Sequence, residues 1–600
     1  MKDKIVKIVN IAGSILFVIF AAWLLGKDKQ DMLFRIQQLS IFVQTKDFFS
    51  SFFEHPGMFL TYMGSFLTQF FHYPLVGISI FVLLLMLVQY TVFSACKVNK
   101  NLYLFSFIPS ALFLLLVLML DYEIYVIHIR DLIYSQMLGF LFALSALRIY
   151  RIFSRFWIKI LFLALVVIVG YYLAGFYALA AAVYICTYEL LFNKKYIIPL
   201  TGIVLAIAIP FLYYKTIYNY LNIEYIYGYG LPVFEQHSAV LRIPGIQILI
   251  SVIPVLLLFV NRFVKIAKAT SGVIIVNILS LVICFYVVLK YTNRDENLHA
   301  QLKIERALGK RDWNEILEIA YKTKSPNRAI IMYRNIALHR KNILCDRMFF
   351  YPYGYETPKS TGKEITTTKT CAVTAFYHYG LLNYSYRWAM ELIVQYGMNA
   401  DYLQYMTKIA LINNEPELAR KYLNVLNNTM FYKDWAKKYG RYIDNKKLFE
   451  IDPEYQEISD LLHYENNWQE NSGNVELCIL THYAELTSGT QSMLELAMSS
   501  ILILKLTPVF WEKFDLYIQI NNRIPLHIQE TALLYSATEN VNLSHVSFDN
   551  EVMGRFNQFV TLTNQHNGGV QNEKTQGLAK TYHGNTFWYY YFYEKKISLN

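Results

Sequence analysis

Residues 273–289 read VIIVNILSLVICFYVVL, and this stretch divides the chain into two parts of different character. An uncharged apolar run of this length predicts a helix that crosses a lipid bilayer. Before it, nearly every segment is apolar, whereas from residue 290 onward charged residues alternate with apolar residues at helical spacing. The direction in which this span crosses the membrane therefore decides the compartment of the second half of the chain.

Apolar runs before residue 273 predict eight further membrane-spanning helices, because a span needs about 20 mostly apolar residues. The first run is not followed by a convincing cleavage site, which favours a retained anchor over a signal peptide. The sequence thus predicts an all-α protein, with a polytopic transmembrane helical bundle in residues 1–292 and an extracytoplasmic α-solenoid in residues 293–600. The nine predicted spans are residues 5–25, 75–96, 103–120, 132–147, 158–173, 176–192, 196–213, 246–260 and 273–289.

Basic residues are distributed unequally between the loops at the two ends of the predicted bundle. With the N-terminus inside, the inner loops hold 14 basic residues and one acid, whereas the outer loops hold seven basic residues and nine acids. Because Lys and Arg are enriched in cytoplasmic loops, this count predicts a cytoplasmic N-terminus. Nine crossings then place the second half outside the cytoplasm. The large outer loops are residues 26–74, 121–131 and 212–245.

The net charge and the cysteines bear on the classes of partner and cofactor. Many of the basic residues behind the net charge of +11 lie in short inner loops, so the expected partner is the lipid bilayer and not nucleic acid. The six cysteines have no CxxC or Cys/His spacing, which argues against a structural zinc site. In an oxidising compartment Cys345 and Cys371 can pair, which leaves Cys478 free; the sequence leaves this pairing open.

The second half shows paired amphipathic segments of the kind that build helical repeats. Residues 400–412 place Tyr402, Met406 and Ile409 on one apolar face, and residues 416–426 follow after a polar turn. This pairing resembles tetratricopeptide-type repeats, which implies a solenoid that binds partners; a plain α-solenoid or a helical bundle is the alternative. The aromatic end, NTFWYYYFYEKK, predicts a final docked helix or, alternatively, a contact with a partner or the membrane surface.

The outer loops carry most of the residues whose side chains suit catalysis or ligand binding. Outer loop one is rich in Phe and Tyr, which suits helices that lie in the membrane interface. EHPG at residues 54–57 interrupts this loop, and Asp47 and Glu54 share one face if the helix between them is continuous. Outer loop two, DYEIYVIHIRD, contains three carboxylates, one His and one Arg. In outer loop four, GYGLPVFEQHSAVLRIPG predicts an irregular turn followed by charged residues.

Two parts of the chain resemble membrane proteins. HPGMFLTYMGSFLTQFFHYPLVG at residues 55–77 resembles an uncharacterised polytopic family of Bacteroidota, which implies a bacterial inner membrane. Together with the count of basic residues, this places the second half in the periplasm. The layout of residues 1–290 is similar to that of the C-type (multi-pass) glycosyltransferases, which use polyprenyl-phosphate-linked sugars and a catalytic acid in the first outer loop. This chain departs from that pattern, because Asp31, Asp47 and Glu54 occur singly and not as an acidic pair.

The glycosyltransferase resemblance implies a membrane enzyme that acts on a lipid-linked sugar at the outer face. Glycosyl transfer needs a carboxylate base or a metal, and cations beside the lipid phosphate. The alternative is a non-catalytic scaffold whose solenoid recruits cell-envelope proteins; a transporter is disfavoured, because the predicted spans contain almost no internal charge. The predicted roles are Asp47 or Glu54 as the base, Asp121, Glu123 and Asp131 as ligands of Mg²⁺ or Mn²⁺, and His128, Arg130, Glu235, His237 and Arg242 as contacts of the phosphate or substrate.

Overall fold

Helices form almost all of the regular structure, which confirms the predicted all-α fold class. The only paired strands among the described residues are two residues long, Lys359–Ser360 (β1) and Lys363–Glu364 (β2), and run antiparallel. The computed structural model describes residues 2–126, 132–193, 196–231, 242–264, 270–360, 363–462, 474–565, 568–595 and 597.

The first half of the chain forms twelve of the described α-helices, most of them long and apolar. Short 3₁₀ segments connect several of them, and a π-helical turn, Glu189–Asn193, extends the ninth. The helices are α1 Lys2–Asp28, α2 Gln30–Gln38, α3 Lys46–Ser51, α4 Met58–Thr68, α5 Pro74–Ala95, α6 Ile108–Leu118, α7 Leu132–Tyr150, α8 Phe156–Ala174, α9 Phe176–Tyr188, α10 Ile197–Thr216, α11 Arg242–Phe263 and α12 Ser271–Tyr291.

Nine helical segments of the described chain are long and apolar enough to cross a membrane, so the protein is a multi-pass membrane protein. The last of them, Ser271–Tyr291, extends the predicted span by two residues at each end. Its start is defined by Thr270, whose Oγ1 accepts a hydrogen bond from Val273 N at 3.3 Å. The other segments are Lys4–Asp28, Pro74–Ala95, Lys100–Leu118, Ile133–Tyr150, Phe156–Ala174, Phe176–Asn193, Ile197–Thr216 and Gly245–Phe263.

Among the described residues, the spans contain a buried ion pair, which qualifies the expectation that they hold almost no internal charge. Lys159 Nζ lies 2.6 Å from Glu189 Oε1, and Tyr150 OH donates to the same oxygen at 2.7 Å. Glu189 begins the π-helical turn and is fully buried. The two charges neutralise each other, so the pair is consistent with the cost of placing single charges inside a membrane.

The second half of the chain consists of shorter helices that pack mainly against their neighbours in sequence. They are α13 Glu296–Gly309, α14 Trp313–Lys322, α15 Arg328–Arg340, α16 Leu344–Arg347, α17 Thr367–Thr370, α18 Ala372–His378, α19 Leu382–Tyr396, α20 Ala400–Ile412, α21 Pro416–Asn427, α22 Lys433–Asp444, α23 Lys446–Glu450, α24 Pro453–Ser459, α25 Val475–Ala484, α26 Gln491–Leu504, α27 Thr507–Ile520, α28 Leu526–Glu539, α29 Asn550–Asn564, α30 Glu573–His583 and α31 Phe587–Tyr593.

Two sequence predictions for the second half are confirmed. The predicted pair at residues 400–412 and 416–426 is α20 and α21, which pack against each other. Asn399 caps α20 by accepting from Tyr402 N at 2.8 Å. The aromatic end is a docked helix, α31, in which Trp588 is fully buried and donates from Nε1 to Glu530 O at 2.8 Å.

The cysteines whose pairing was left open are free thiols in the structure. Cys345 Sγ lies 3.6 Å from Glu495 O, and Cys371 Sγ lies 3.3 Å from Thr367 O, so the two thiols have separate backbone acceptors. Both are buried in the core of the second half. Here they act as small apolar side chains.

The two halves share hydrophobic cores across the boundary predicted at residues 292/293. Ile41 and Val43 of outer loop one are buried in one core with Leu403 of α20. The core of the spans in turn includes Leu298 and Leu302 of α13. Apolar packing therefore holds the second half against the end of the bundle from which α1 and α12 emerge.

Outer loop one differs in part from the predicted pair of interfacial helices. Its first helix, α2, buries Met32, Leu33 and Ile36, and packs against α13. Helix α3 and the 3₁₀ segment Phe52–Glu54 bury no residue, as expected for a surface position. The predicted break is present, because Gly57 adopts a left-handed conformation with φ of 85°, which glycine accepts without strain.

Candidate functional site

Outer loop one and the helices after residue 293 enclose a groove with a cavity of about 910 Å³, which we call the junction groove. Tyr73 and Pro74 are among its lining residues, and Pro74 is the first residue of the second candidate span. The groove therefore extends to the level at which that span begins. The other lining residues are Phe34, Gln38, His72, Glu305, Arg306, Gly309, Lys310, Arg311, Asp401, Gln404, Tyr405, Lys408, Phe431, Tyr432, Trp435, Lys438, Tyr439, Asp452, Pro453 and Glu454.

One wall of the groove contains a buried cluster of charges, the Arg35 cluster, formed by Arg35, Glu305, Asp401 and Tyr125. Arg35 Nε lies 3.1 Å from Glu305 Oε2, and its Nη1 lies 2.7 Å from Asp401 Oδ2. Tyr125 OH donates to the Glu305 carboxylate at 2.9 Å, and its ring lies under the guanidinium. One cation from outer loop one thus connects two carboxylates from α13 and α20.

Burial raises the pKa of the Glu305 carboxyl above its usual value, although the nearby Arg35 acts in the opposite direction. Gln301 and Tyr125 stabilise the ionised form by donating hydrogen bonds to it. Glu305 therefore releases its proton less readily than an exposed Glu. The pKa of Arg35 is raised well above its usual value, because the two carboxylates outweigh the desolvation of the guanidinium. Arg35 is charged at any physiological pH.

Helix α13 positions Glu305 through a polar stripe on its buried side. Asn297, Gln301 and Glu305 are four residues apart, so they lie along one face of the helix. Asn327 Nδ2 donates to Gln301 Oε1 at 3.1 Å and to Tyr122 OH at 2.8 Å. The stripe therefore connects outer loop two with the second half and holds the Glu305 side chain in a defined orientation.

Aromatic rings form another part of the groove lining. The rings of Trp435 and Tyr439 stack with centroids 3.9 Å apart, and His72 stacks on Phe431 at 4.9 Å. Tyr432 OH donates to Gln37 Oε1 at 3.0 Å, which ties this part of the lining to outer loop one. Burial lowers the pKa of His72, so its ring is neutral near pH 7. Such faces are suited to the apolar side of a sugar ring.

Further charges surround the groove, and most of them are in ion pairs. Lys408 Nζ lies 2.6 Å from Glu454 Oε1, and Lys438 Nζ lies 3.0 Å from Asp452 Oδ2. Lys310, in contrast, is exposed, and the described side chains offer it no ion-pair partner. The groove thus presents both cations and carboxylates to a bound molecule.

The predicted bases Asp47 and Glu54 both lie on the surface of outer loop one. They do not share a continuous α-helix, because α3 ends at Ser51 and a 3₁₀ segment follows. The backbone oxygen of Glu54 accepts from Tyr220 OH at 2.6 Å, and the adjacent His55 ring stacks on Tyr229. This part of loop one therefore contacts outer loop four and does not line the junction groove.

The predicted metal ligands Asp121 and Glu123 are buried where outer loop two meets the second half. Asp121 Oδ1 accepts from Glu123 N at 3.0 Å and so caps a 3₁₀ turn. Arg242 begins α11. Within the described part of the chain, no three His, Cys, Asp or Glu side chains are placed to hold a metal. Outside the described residues lie His128, Arg130, Asp131, Glu235 and His237, and the predicted roles of all these residues stay predictions.

Sequence reasoning missed the Arg35 cluster and the groove. Arg35 and Asp401 are single charges in amphipathic helices 366 positions apart, and no local pattern joins them. A signal did exist in α13, where polar residues recur at positions 297, 301 and 305 between apolar ones. A polar residue on a face that should be buried indicates a partner in the fold.

The profile of a family described as "Family of unknown function (DUF6057)" matches residues 4–594. The chain belongs to this family. The match includes the spans, outer loop one and the helices after residue 293, so both sides of the junction groove lie within it. No curated protein and no solved structure matches the chain. Family membership therefore supports the predicted likeness to an uncharacterised polytopic family, and it does not identify a reaction.

Proposed function

We propose that the protein is an inner-membrane transferase that binds a polyprenyl-phosphate-linked sugar in the junction groove. The observation that carries this proposal is the presence of stacked aromatic rings, buried carboxylates and cations in one groove beside the start of a span. A lipid-linked sugar has matching parts: a lipid chain for the bilayer, a phosphate for Lys and Arg, and a sugar ring for the aromatic faces.

The groove supplies a candidate for each role in glycosyl transfer. Asp401 is the proposed base, because its carboxylate lines the groove and is held by Arg35 at 2.7 Å. Lys310 and Arg306 are the proposed cations beside the lipid phosphate, since both line the groove. Trp435 is the proposed stacking partner of the sugar.

The proposed orientation places the groove in the periplasm of a bacterium and the N-terminus in the cytoplasm. It is supported by the excess of basic residues in the loops at the N-terminal end of the bundle. The helices after residue 293 would then act as a TPR-like surface that presents the acceptor or binds a cell-envelope protein. Mg²⁺ or Mn²⁺ at outer loop two is part of the same proposal, with Asp121 and Glu123 as oxygen ligands.

The test uses the full-length protein in lipid nanodiscs with a polyprenyl-phosphate-linked hexose as the probe. We expect saturable binding that Trp435→Ala weakens about 2- to 10-fold, the range for loss of one aromatic contact. Asp401→Asn should keep binding and lower transfer to an added acceptor by about 10²- to 10⁴-fold. Tyr321→Ala removes an exposed aromatic ring away from the groove and is the matched control.

The other outcomes separate the alternatives. Binding in the groove without transfer to any acceptor would favour the non-catalytic scaffold that recruits envelope proteins. Loss of transfer in Asp47→Asn or Glu54→Gln, with normal transfer in Asp401→Asn, would return the base to outer loop one. No binding of the hexose lipid above that of a phospholipid would refute the proposal.

A further inference from the structure

A second groove lies at the end of the bundle that is remote from the second half, and we call it the N-terminal groove. It has a cavity of about 600 Å³ between the first turns of α1 and the 3₁₀ segment Lys100–Phe107 that follows α5. Its chemistry is set by Lys7, Asn10, Lys100 and Tyr103, with Val6 and Phe93 as apolar neighbours. The junction groove and its proposed reaction do not use it.

The depth of this groove in the membrane follows from α1. At the far end of that helix, Lys29 Nζ donates to Asn293 O at 3.3 Å, where the second half begins. About 20 residues of helix separate Lys7 from this contact, which corresponds to roughly 30 Å. Because the hydrocarbon core of a bilayer is also about 30 Å thick, Lys7 lies at the opposite headgroup level.

The two lysines of the groove are positioned by a hydrogen-bond network within the bundle. Asn10 Nδ2 donates to Lys100 O at 3.0 Å, which fixes the 3₁₀ segment against α1. Asn277 of α12 donates in turn to Asn10 Oδ1 at 3.0 Å. Tyr103 OH donates to Gln89 Oε1 at 3.2 Å, which anchors the other side. This network therefore fixes the backbone positions from which the two lysine side chains extend.

The two lysines of the groove are exposed. The carboxylates whose side chains the structure describes form no ion pair with Lys7 or Lys100, and the side chain of Asp3 lies outside that description. No Asp or Glu of the described chain lines the groove. The wall beside them is apolar, and Ile11 on the same helix is half exposed where lipid chains would lie. The site thus combines two cations with an apolar surface that faces the bilayer.

We infer that the N-terminal groove binds the phosphate headgroup of an anionic phospholipid from the leaflet that surrounds it. Its two lysines would contact the phosphate, and Asn101 and Tyr103 add polar side chains beside it. The acyl chains would lie along the apolar wall. Basic pockets between helices at the cytoplasmic side of a membrane bind anionic headgroups in this way. The inference does not depend on the proposed transferase activity.

The test is native mass spectrometry of the detergent-solubilised full-length protein with phosphatidylglycerol or phosphatidylethanolamine. We expect retained phosphatidylglycerol in the wild type, and about 30-fold weaker binding in Lys7→Gln/Lys100→Gln, since each lysine near a headgroup accounts for about fivefold. Lys7→Arg/Lys100→Arg should retain the lipid, which shows that the fold is intact. Lys4→Gln/Lys97→Gln removes the same charge at the same end, outside the groove, and should also retain it.

Three results would overturn the inference. Equal loss of phosphatidylglycerol in the Lys7→Gln/Lys100→Gln and Lys4→Gln/Lys97→Gln variants would mean that surface charge alone attracts the lipid. Equal retention of both lipids by the wild type would mean that the groove has no preference for an anion. Displacement of phosphatidylglycerol by millimolar inorganic phosphate would mean that free phosphate, and not a lipid, is the ligand.

Discussion

Replacing Arg35 by Leu tests whether the Arg35 cluster holds outer loop one against the second half. Arg35 is 6% exposed, and its guanidinium lies between the carboxylates of Glu305 and Asp401. Leu fills part of the volume and removes the charge. Two carboxylates from α13 and α20 are then left buried without their cation.

The size of the effect follows from this burial. Removing one partner of a buried ion pair typically costs about 3–5 kcal/mol, because the remaining charge is desolvated and unpaired. Since about 1.4 kcal/mol is a factor of ten, the population in which α2 is detached should rise by at least about 100-fold. Arg306→Leu is the matched control, because its ion pair with Asp31 is partly exposed and should be worth less than about 1 kcal/mol.

Hydrogen exchange of the full-length protein in nanodiscs measures this opening at the amides of α2 and α13. The loss of amide protection in the Arg35→Leu variant, relative to the wild type, should become smaller as the pH falls. Burial already raises the pKa of Glu305, and loss of Arg35 removes the main opposing influence. A carboxyl with a raised folded-state pKa stabilises the fold at low pH, and that stability is lost as the pH rises through the folded-state pKa. We therefore expect a smaller deficit at pH 5 than at pH 8.

A triple variant separates electrostatics from packing. Arg35→Leu combined with Glu305→Gln and Asp401→Asn leaves no buried charge, so it should recover most of the lost protection. Unchanged exchange in Arg35→Leu, or a deficit that grows as the pH falls, would refute the reasoning. Failure of the triple variant to recover would assign the effect to the shape of the Arg35 side chain.

Two further predictions concern pH and topology. Burial raises the pKa of Glu495 to about 7, so the stability it contributes at low pH is lost as the pH rises through about 7. Glu495→Gln should therefore raise the melting temperature at pH 8 and flatten its dependence on pH, and the gain in the free energy of unfolding should not exceed about 3 kcal/mol. The exposed control Glu485→Gln should change neither the melting temperature nor its pH dependence. A reporter that is active only outside the cytoplasm should work when fused after Asn600 and fail after Lys268; the reverse pattern would contradict the orientation.

The spans could be predicted from sequence because their signal is local. A membrane helix satisfies its own backbone hydrogen bonds and needs only an apolar exterior, so composition over about 20 residues suffices. Residues 273–289 show this, since the structural helix Ser271–Tyr291 adds only two residues at each end. The paired helices α20 and α21 were predictable for a similar reason, namely their apolar periodicity.

The position of outer loop one could not be predicted, because its composition fits two environments. Phe and Tyr suit the membrane interface and equally suit a protein core. The apolar face of α2, with Leu33 and Ile36, therefore gave no indication that α13 would cover it. The choice between the two environments is made by a partner hundreds of residues away, and sequence periodicity carries no information about distant partners.

The shared cores bear on how the second half reaches its folded state. A boundary near residue 293 separates two compositions, yet Arg35 and Ile41 of outer loop one lie in the interior of the second half. Without them, Asp401 would lose its cation and α20 would lose apolar cover. Outer loop one precedes the helices it stabilises by more than 250 residues in the chain. Its contacts with the second half can therefore form only after all nine candidate spans of the described chain have been synthesised, so the groove is completed late in folding.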